Sequence, residues 1–521
     1  MTSFSKMPVC WALSSALALA ACSKGKTGGE QPPPAASARA ATVAAPRQLK
    51  DADVTRATEE AFARDPGIDP GLLHVNTTNG IVELTGSVGD ILTKRRATQL
   101  AETIRGVRAV SDRIQVVTKA RPDPDLERDV KDALSINAAT DTLPITVSVR
   151  DAVVTLSGTV HSGQEQKIAE RVAESVKGVR AVDNHTDLVV GAPRDDREIL
   201  ADVKSRFRWD RLLNDGLLEV AVANGKVTLS GVAGSATERR RAEREAWVRG
   251  VTKVDASKVN IEWWAKQDDL LREKPLKYTD NQIAKAIRDA AALDPRVESA
   301  GLTVDVAKGI ATLGGTVGSV QAKNAAESLA HNTVGVVDVK DELAVEPRKP
   351  VSDRLLAKRV TQSLAYDPAL GSLGLEATSD GGTVTLTGAV ESTFERAEAT
   401  EVAAAVRGVR RVQNQLAVKR PEVAYVYSFY LDPYEPFIES WHYAPAKPVK
   451  PDAQIASQIK MDLAFAPLLD EKRVDVSVKG GTAVLTGTVD SLGERAIATE
   501  DAFEGGAIAV ENRLQVAAPG G

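Results

Sequence analysis

Three kinds of residue in this 521-residue chain have types and spacings that could do chemistry. The first is glycine at a strand-to-helix corner, in Gly86-Ser-Val-Gly89 and Gly314-Gly315-Thr-Val-Gly318. Such corners suggest a dinucleotide loop, in which close-approaching backbone and a helix N-terminus hold a pyrophosphate. The G-x-G-x-x-G pattern needs a further glycine where Leu313 stands, so a tight corner is the simpler reading, although a helix N-terminus attracts anions by itself. The second kind is histidine. His74, His161, His185, His331 and His442 are scattered, and no pair has metal-ligand spacing. The third is a nucleophile with a base. No G-x-S-x-G elbow occurs, and the acidic residues form no recurrent pair. The expectation is a protein that is not an enzyme, with no cofactor, no metal and no catalytic residue.

The corner glycines mark a repeat instead. A strand-like stretch carrying glycine recurs six times, as in VELTGSV, VVTLSGTV and VTLSGVA, at Gly86, Gly158, Gly231, Gly315, Gly388 and Gly487. A second glycine follows 19 or 20 residues later, at Gly106, Gly178, Gly250, Gly335, Gly408 and Gly506, in settings such as IRGVRAV and VKGVRAV. Repetition of this kind is the signature of stacked or tandem units. In the first copy, Val54, Ala57, Ala61 and Phe62 have helical spacing. Two strands flank Asn79-Gly80, a strong hairpin signal. Leu92, Ala97, Leu100, Ala101 and Ile104 then form a second helical stripe, opposite Lys94, Arg95, Arg96 and Glu102, and AVSDRIQVV reads as a third strand. The order is α-β-β-α-β, with a right-handed parallel crossover from the second strand to the third. In each copy the strand glycine is expected at the strand's end, where positive φ or close helix approach requires it.

The fold class is therefore α+β: six tandem small α-β-β-α-β domains. Their expected spans are 51–118, 123–190, 195–264, 279–346, 352–419 and 451–517, with an aromatic, proline-rich insert at 420–450. Hairpin glycines recur in the other copies, except that the second has Arg150-Asp151 at the turn. The strand with T/S-Gly-x-V, a helix, then K/R-Gly-V-x-x-V resembles the BON domain of bacterial envelope proteins, including osmotically induced periplasmic proteins. The resemblance covers most of the chain. It implies a non-enzymatic module that binds phospholipid or envelope surfaces. Carried onto this sequence, the basic corner residues Arg105, Lys177, Arg249 and Arg407 become candidate headgroup contacts. The fourth copy departs with Val334 and the sixth with Gly505-Gly506, which takes both outside that pattern.

Composition agrees with surfaces rather than a charged field. Net charge is −5 with 26% charged residues, so neither nucleic acid nor anionic membrane is attracted globally. Hydrophobic residues make up 43% but aromatics only 4%, so the cores must be built of Val, Leu, Ile and Ala. The N-terminus has Lys6 and then an apolar run too short to span a membrane, ending in Leu19-Ala20-Ala21-Cys22. That ending resembles a bacterial lipobox. It implies a signal peptide at 1–21, lipidation of Cys22 and, with Ser23 rather than Asp next, sorting to the periplasmic face of the outer membrane of a Gram-negative bacterium. Cys10 lies in the removed segment, so no thiol remains for a disulfide. Residues 22–50 read as a disordered Gly/Pro/Ala/Ser tether, reaching roughly 90 Å if fully extended.

Two local features stand apart. Five arginines, Arg239, Arg240, Arg241, Arg244 and Arg249, interleave with Glu238, Glu243 and Glu245, as in a solvated salt-bridged face. The insert gathers eight of the 21 aromatic residues, among them Tyr425, Tyr427, Tyr434 and Trp441, which are candidate surface-binding residues. Its first part alternates like a strand from Val423 to Phe429. Three functions remain open. One is a lipid-anchored protein that binds envelope surfaces multivalently, with phospholipid headgroups, peptidoglycan or envelope proteins as partners and no nucleic acid. Another is an interaction scaffold for an envelope transport or secretion complex. The last is an outer-membrane secretion component that is not itself the pore.

Overall fold

The computed structural model describes residues 49–517, apart from 66, 190–193, 263–264, 266–277, 295, 298–300, 348–349, 392, 420–422, 426–440, 444–449, 466–468, 470 and 490–491. The expected signal peptide, Cys22, nearly all of the tether, Trp263-Trp264, Tyr427 and Tyr434 lie outside the described residues.

Repeat 1 shows how the unit is built. Helix α1 (Asp51–Arg64) precedes the hairpin of β1 (Leu73–Thr78) and β2 (Ile81–Val88). Helix α2 (Ile91–Thr103) then leads to β3 (Ala109–Asp112) and β4 (Gln115–Val116). Strand β2 is central, antiparallel to β1 and parallel to β3 and β4. Val82 and Leu84 of β2 point into the core, meeting Val54 and Phe62 of α1 and Ala97 and Ala101 of α2. The other copies repeat the order. Repeat 2 has α3 (Asp123–Ile136), β5 (Ile145–Arg150), β6 (Val153–Val160), α4 (Gly163–Glu174) and β7 (Ala181–Leu188). Repeat 3 has α5 (Asp196–Trp209), β8 (Leu218–Ala223), β9 (Lys226–Ala233), α6 (Ala236–Glu245) and β10 (Lys253–Ile261). Repeat 4 has α7 (Asp280–Leu293), β11 (Leu302–Ala307), β12 (Ile310–Val317), α8 (Val320–His331), β13 (Asp338–Asp341) and β14 (Ala344–Val345). Repeat 5 has α9 (Asp353–Tyr366), β15 (Glu376–Asp380), β16 (Thr383–Thr387), β17 (Ala389–Val390), α10 (Thr393–Ala404), β18 (Arg411–Asn414) and β19 (Ala417–Val418). In the insert, β20 (Val423–Tyr425) pairs antiparallel with β21 (Trp441–Tyr443). Repeat 6 has α11 (Asp452–Phe465), β22 (Val474–Lys479), β23 (Thr482–Val489), α12 (Leu492–Glu504), β24 (Ala509–Asn512) and β25 (Gln515–Val516). Each repeat has its own apolar cluster.

In five of the six copies the strand glycine is not at the end of its strand; in repeat 5, Gly388 falls between β16 and β17. Gly158 sits inside β6, opposite Ile145 on one side and Thr186 on the other. Its φ of 122° is closed to ordinary side chains. A Cβ there would lie 2.1 Å from the Pro144 carbonyl oxygen. The third strand is also less regular than its sequence suggests. In repeat 1, the Asp112 carboxylate accepts from the Ile114 N–H at 3.0 Å at the break between β3 and β4. Asn184, Asp255, Asp341, Asn414 and Asn512 repeat that bond two residues on, although β7 and β10 run through it unbroken. The turn of repeat 2 is Asp151-Ala152, not Arg150-Asp151, with φ of 52° and 60°.

Candidate binding surface

A sixfold interaction that sequence reading missed holds each hairpin to its first helix. The Asp51 carboxylate accepts from the backbone N–H groups of Asn79 and Gly80, at 2.8 and 2.9 Å. Asp123, Asp196, Asp280, Asp353 and Asp452 make the same pair of bonds. The signal was present: the aspartate precedes the second turn residue by 29 positions in every copy. Each aspartate is the first residue of its helix, where the dipole also favours a carboxylate.

In repeats 1 to 4 the strand-to-helix corners are capped by their own side chains. The Asp90 carboxylate accepts from Thr93 N–H at 2.7 Å and caps α2 with negative charge. Ser162, Ser235 and Ser319 cap α4, α6 and α8 in the same way. These donors are already satisfied.

The other corner, where the K/R-Gly pair lies, is a place of contact between repeats. The last carbonyls of a helix have no partner inside it, and they carry the negative end of its dipole. Donors from another repeat's corner meet them here. Lys177 N–H donates to the Tyr366 carbonyl at 2.7 Å, and Arg407 N–H donates to the Ile136 carbonyl at 2.9 Å. Repeats 2 and 5 thus cap each other's first helices reciprocally. The Lys177 ammonium adds a bond to the Gly371 carbonyl, and Arg407 pairs with Asp141. Val334 N–H of repeat 4 donates to the Trp209 carbonyl at the end of α5 in repeat 3. The Arg105 guanidinium of repeat 1 donates to the Ala464 carbonyl near the end of α11 in repeat 6, and lies 3.5 Å from Glu471. The pairing is nested: 1 with 6, 2 with 5, 3 with 4.

Three of the four basic corner residues are therefore engaged with protein. Among the described residues, Arg249 is the one basic corner residue whose guanidinium makes no ion pair. It is exposed at the edge of a cleft of about 880 Å³ between repeats 3 and 4. The seam beside this cleft is one-sided. Val334 reaches the end of α5, but the Arg249 corner makes no matching backbone bond to the end of α7. His161, Arg194, Arg206, Trp209 and Lys285 also line it, with Asp202, Asp289 and Glu245 offsetting much of the positive charge. Arg194 pairs with Asp202 at 2.7 Å, and Lys285 pairs with Asp289.

The arginine-rich helix α6 is salt-bridged, as its pattern suggests, but it is buried rather than solvated. Arg241 meets Asp210 at 2.6 Å, Arg206 meets Glu245, and Arg240 meets Glu102 of repeat 1. Burial raises the Glu245 carboxyl, and the surrounding arginines more than offset it, leaving that carboxyl below its ordinary range. No group of three or more His, Cys, Asp or Glu side chains able to hold a metal occurs among the described residues. No described helix is long and apolar enough to cross a membrane. Of the insert's candidates, Tyr425 and Trp441 are register partners in the β20–β21 pair.

Six segments match the BON domain family: residues 50–118, 122–190, 195–262, 279–347, 352–420 and 451–518. The chain is 28% identical over 143 residues to osmotically-inducible protein Y of Escherichia coli (strain K12). That match spans 26% of this chain and 71% of that protein. Among solved structures, CdsD, a structural protein of the type III secretion system of Chlamydia trachomatis, is 16% identical. It matches 39% of this chain and 90% of its own, with a TM-score of 0.12. The CdsD C-terminal domain is 15% identical over 41% of this chain and all of its own, also at a TM-score of 0.12. Overlap this low carries no argument.

Proposed function

The chain belongs to the BON domain family, in six copies, and from that premise we propose that it is a non-enzymatic protein of the bacterial envelope that works by binding surfaces. The sixfold BON match carries this reading. A lipid on Cys22 would hold the chain at the periplasmic face of the outer membrane; each buried CH₂ of an acyl chain contributes about 0.8 kcal/mol. The repeats would then engage phospholipid headgroups, and the Arg249 corner is the basic corner best placed to do so. The test is flotation of a Cys22→Ser protein lacking residues 1–21 with phosphatidylethanolamine/phosphatidylglycerol vesicles. Co-flotation supports the reading. A protein that stays at the bottom of the gradient contradicts it.

One observation favours a second reading. Arg105, Lys177 and Arg407 all contact protein. BON surfaces that dock on one another can also dock on other proteins, which suits a scaffold in an envelope transport or secretion complex. Crosslinking in intact envelopes separates the two readings: the scaffold predicts recurrent protein crosslinks to the repeats of a chain that does not float.

A further inference from the structure

Six copies of one unit are a natural substitution series, and one buried position in that series is anomalous. The residue just after the first helix is Asp65, Asn137, Asp210, Asp294 or Asp367 in repeats 1 to 5, always 14 positions past the turn-clamping aspartate. Ten positions after the strand glycine, the second helix presents the residue that faces it in repeats 1 and 3. There Arg96 meets Asp65 at 2.7 Å and Arg241 meets Asp210 at 2.6 Å. Repeat 4 has Ala325 at the helix position, and Asp294 pairs with Arg296 instead. Repeat 2 has uncharged Asn137 and Ile168. Repeat 5 alone puts a second acid at that position, Glu398, which lines one cavity with Asp367.

Asp367 is 2% exposed, and its carboxylate accepts the Ala369 and Leu370 N–H groups. Asp367 and Glu398 line one small cavity, of about 100 Å³, together with Ile136, Ile168 and Arg171 of repeat 2. The charged groups around the pair are Asp90 and Arg96 of repeat 1, Arg171 of repeat 2, and Glu401 one turn along α10. Arg96 is committed to Asp65, and Arg171 lies 4.0 Å from Glu174. Two carboxylates so placed cannot both ionise without cost. Asp367 directly follows Tyr366, whose carbonyl receives the Lys177 N–H that joins repeat 5 to repeat 2.

We propose that Asp367 and Glu398 form a proton-operated latch: with one of them protonated the seam between repeats 2 and 5 is closed, and with both ionised it opens. Burial first, then the nearby Glu398, pushes the Asp367 carboxyl well above its ordinary range, and burial pushes Glu398 up against the pull of Arg171 and Arg96. A group that holds its proton more tightly folded than unfolded stabilises the fold at low pH. That contribution is lost as pH rises through the raised value.

Hydrogen exchange on the whole mature chain, from acid to neutral pH and corrected for intrinsic rates, reads this at the Lys177 and Arg407 amides. Their protection should fall with rising pH by up to roughly tenfold per pH unit, the slope of one proton. The Val334 amide of the 3–4 seam should stay flat. Glu398→Gln should flatten the Lys177 and Arg407 profiles. Asp367→Asn should do the same, since Asn137 already occupies that position in repeat 2. A flat wild-type profile, or variants that keep the wild-type slope, would overturn the proposal.

Discussion

At the scale of single residues, backbone conformation decides more than side-chain chemistry. Gly158 is required because its φ is positive and a carbonyl oxygen sits where a Cβ would be. Gly158→Val should cost about 3 kcal/mol or more, seen as lost exchange protection across β5–β7. Ala152 holds the same kind of conformation without being glycine. Ala152→Gly should therefore stabilise repeat 2, by about 1 kcal/mol, and raise its denaturant midpoint. The turn clamp of repeat 5 brings a pH dependence opposite in sign to the latch. Bonds from Ser379, Gly382 and Gly381 hold the Asp353 carboxyl below its ordinary range. Its contribution is present above the unfolded pKa and lost as pH falls through the folded one. The Gly381 and Gly382 amides should lose protection, relative to intrinsic exchange rates, on acidification of the native chain, and Asp353→Asn should reduce that change.

At the scale of elements, local chemistry was legible and docking was not. The order α-β-β-α-β follows from apolar periodicity, Asn79-Gly80 and the recurrent glycines, all within one repeat. The split of β3 from β4 was hidden because alternation does not reveal it, and the Asp112 bond found there also occurs at Asn184 within an unbroken strand. The basic corners were ambiguous for a physical reason: a lysine that suits a phosphate also suits a helix C-terminus. Which of the two it meets depends on contacts far apart in sequence, such as Lys177 with Gly371. The seam between repeats 2 and 3 allows a direct test. A Cβ on Gly163 would lie 2.4 Å from the Trp247 indole. Gly163→Ala should weaken that seam by about 1–3 kcal/mol, and Trp247→Ala should relieve much of the loss in a double-mutant cycle.

At the scale of the whole chain, six small cores are joined by nested corner seams and by further contacts between other repeats. Ile136 of repeat 2 packs into the core of repeat 5, and Leu212 of repeat 3 packs into the core of repeat 6. Binding by linked weak modules gains from effective concentration, and docking fixes which module faces are presented. Lys177, Arg407 and Arg105 are spent on the seams, which leaves the Arg249 corner as the basic corner open to a ligand. The most direct measurement is vesicle flotation of the Cys22→Ser chain lacking residues 1–21, beside its Arg249→Glu and Lys177→Ala variants. The account predicts that the parent floats with anionic vesicles, that Arg249→Glu floats several-fold less, and that Lys177→Ala floats like the parent. A parent that does not float, or an Arg249→Glu variant that floats equally well, would contradict it.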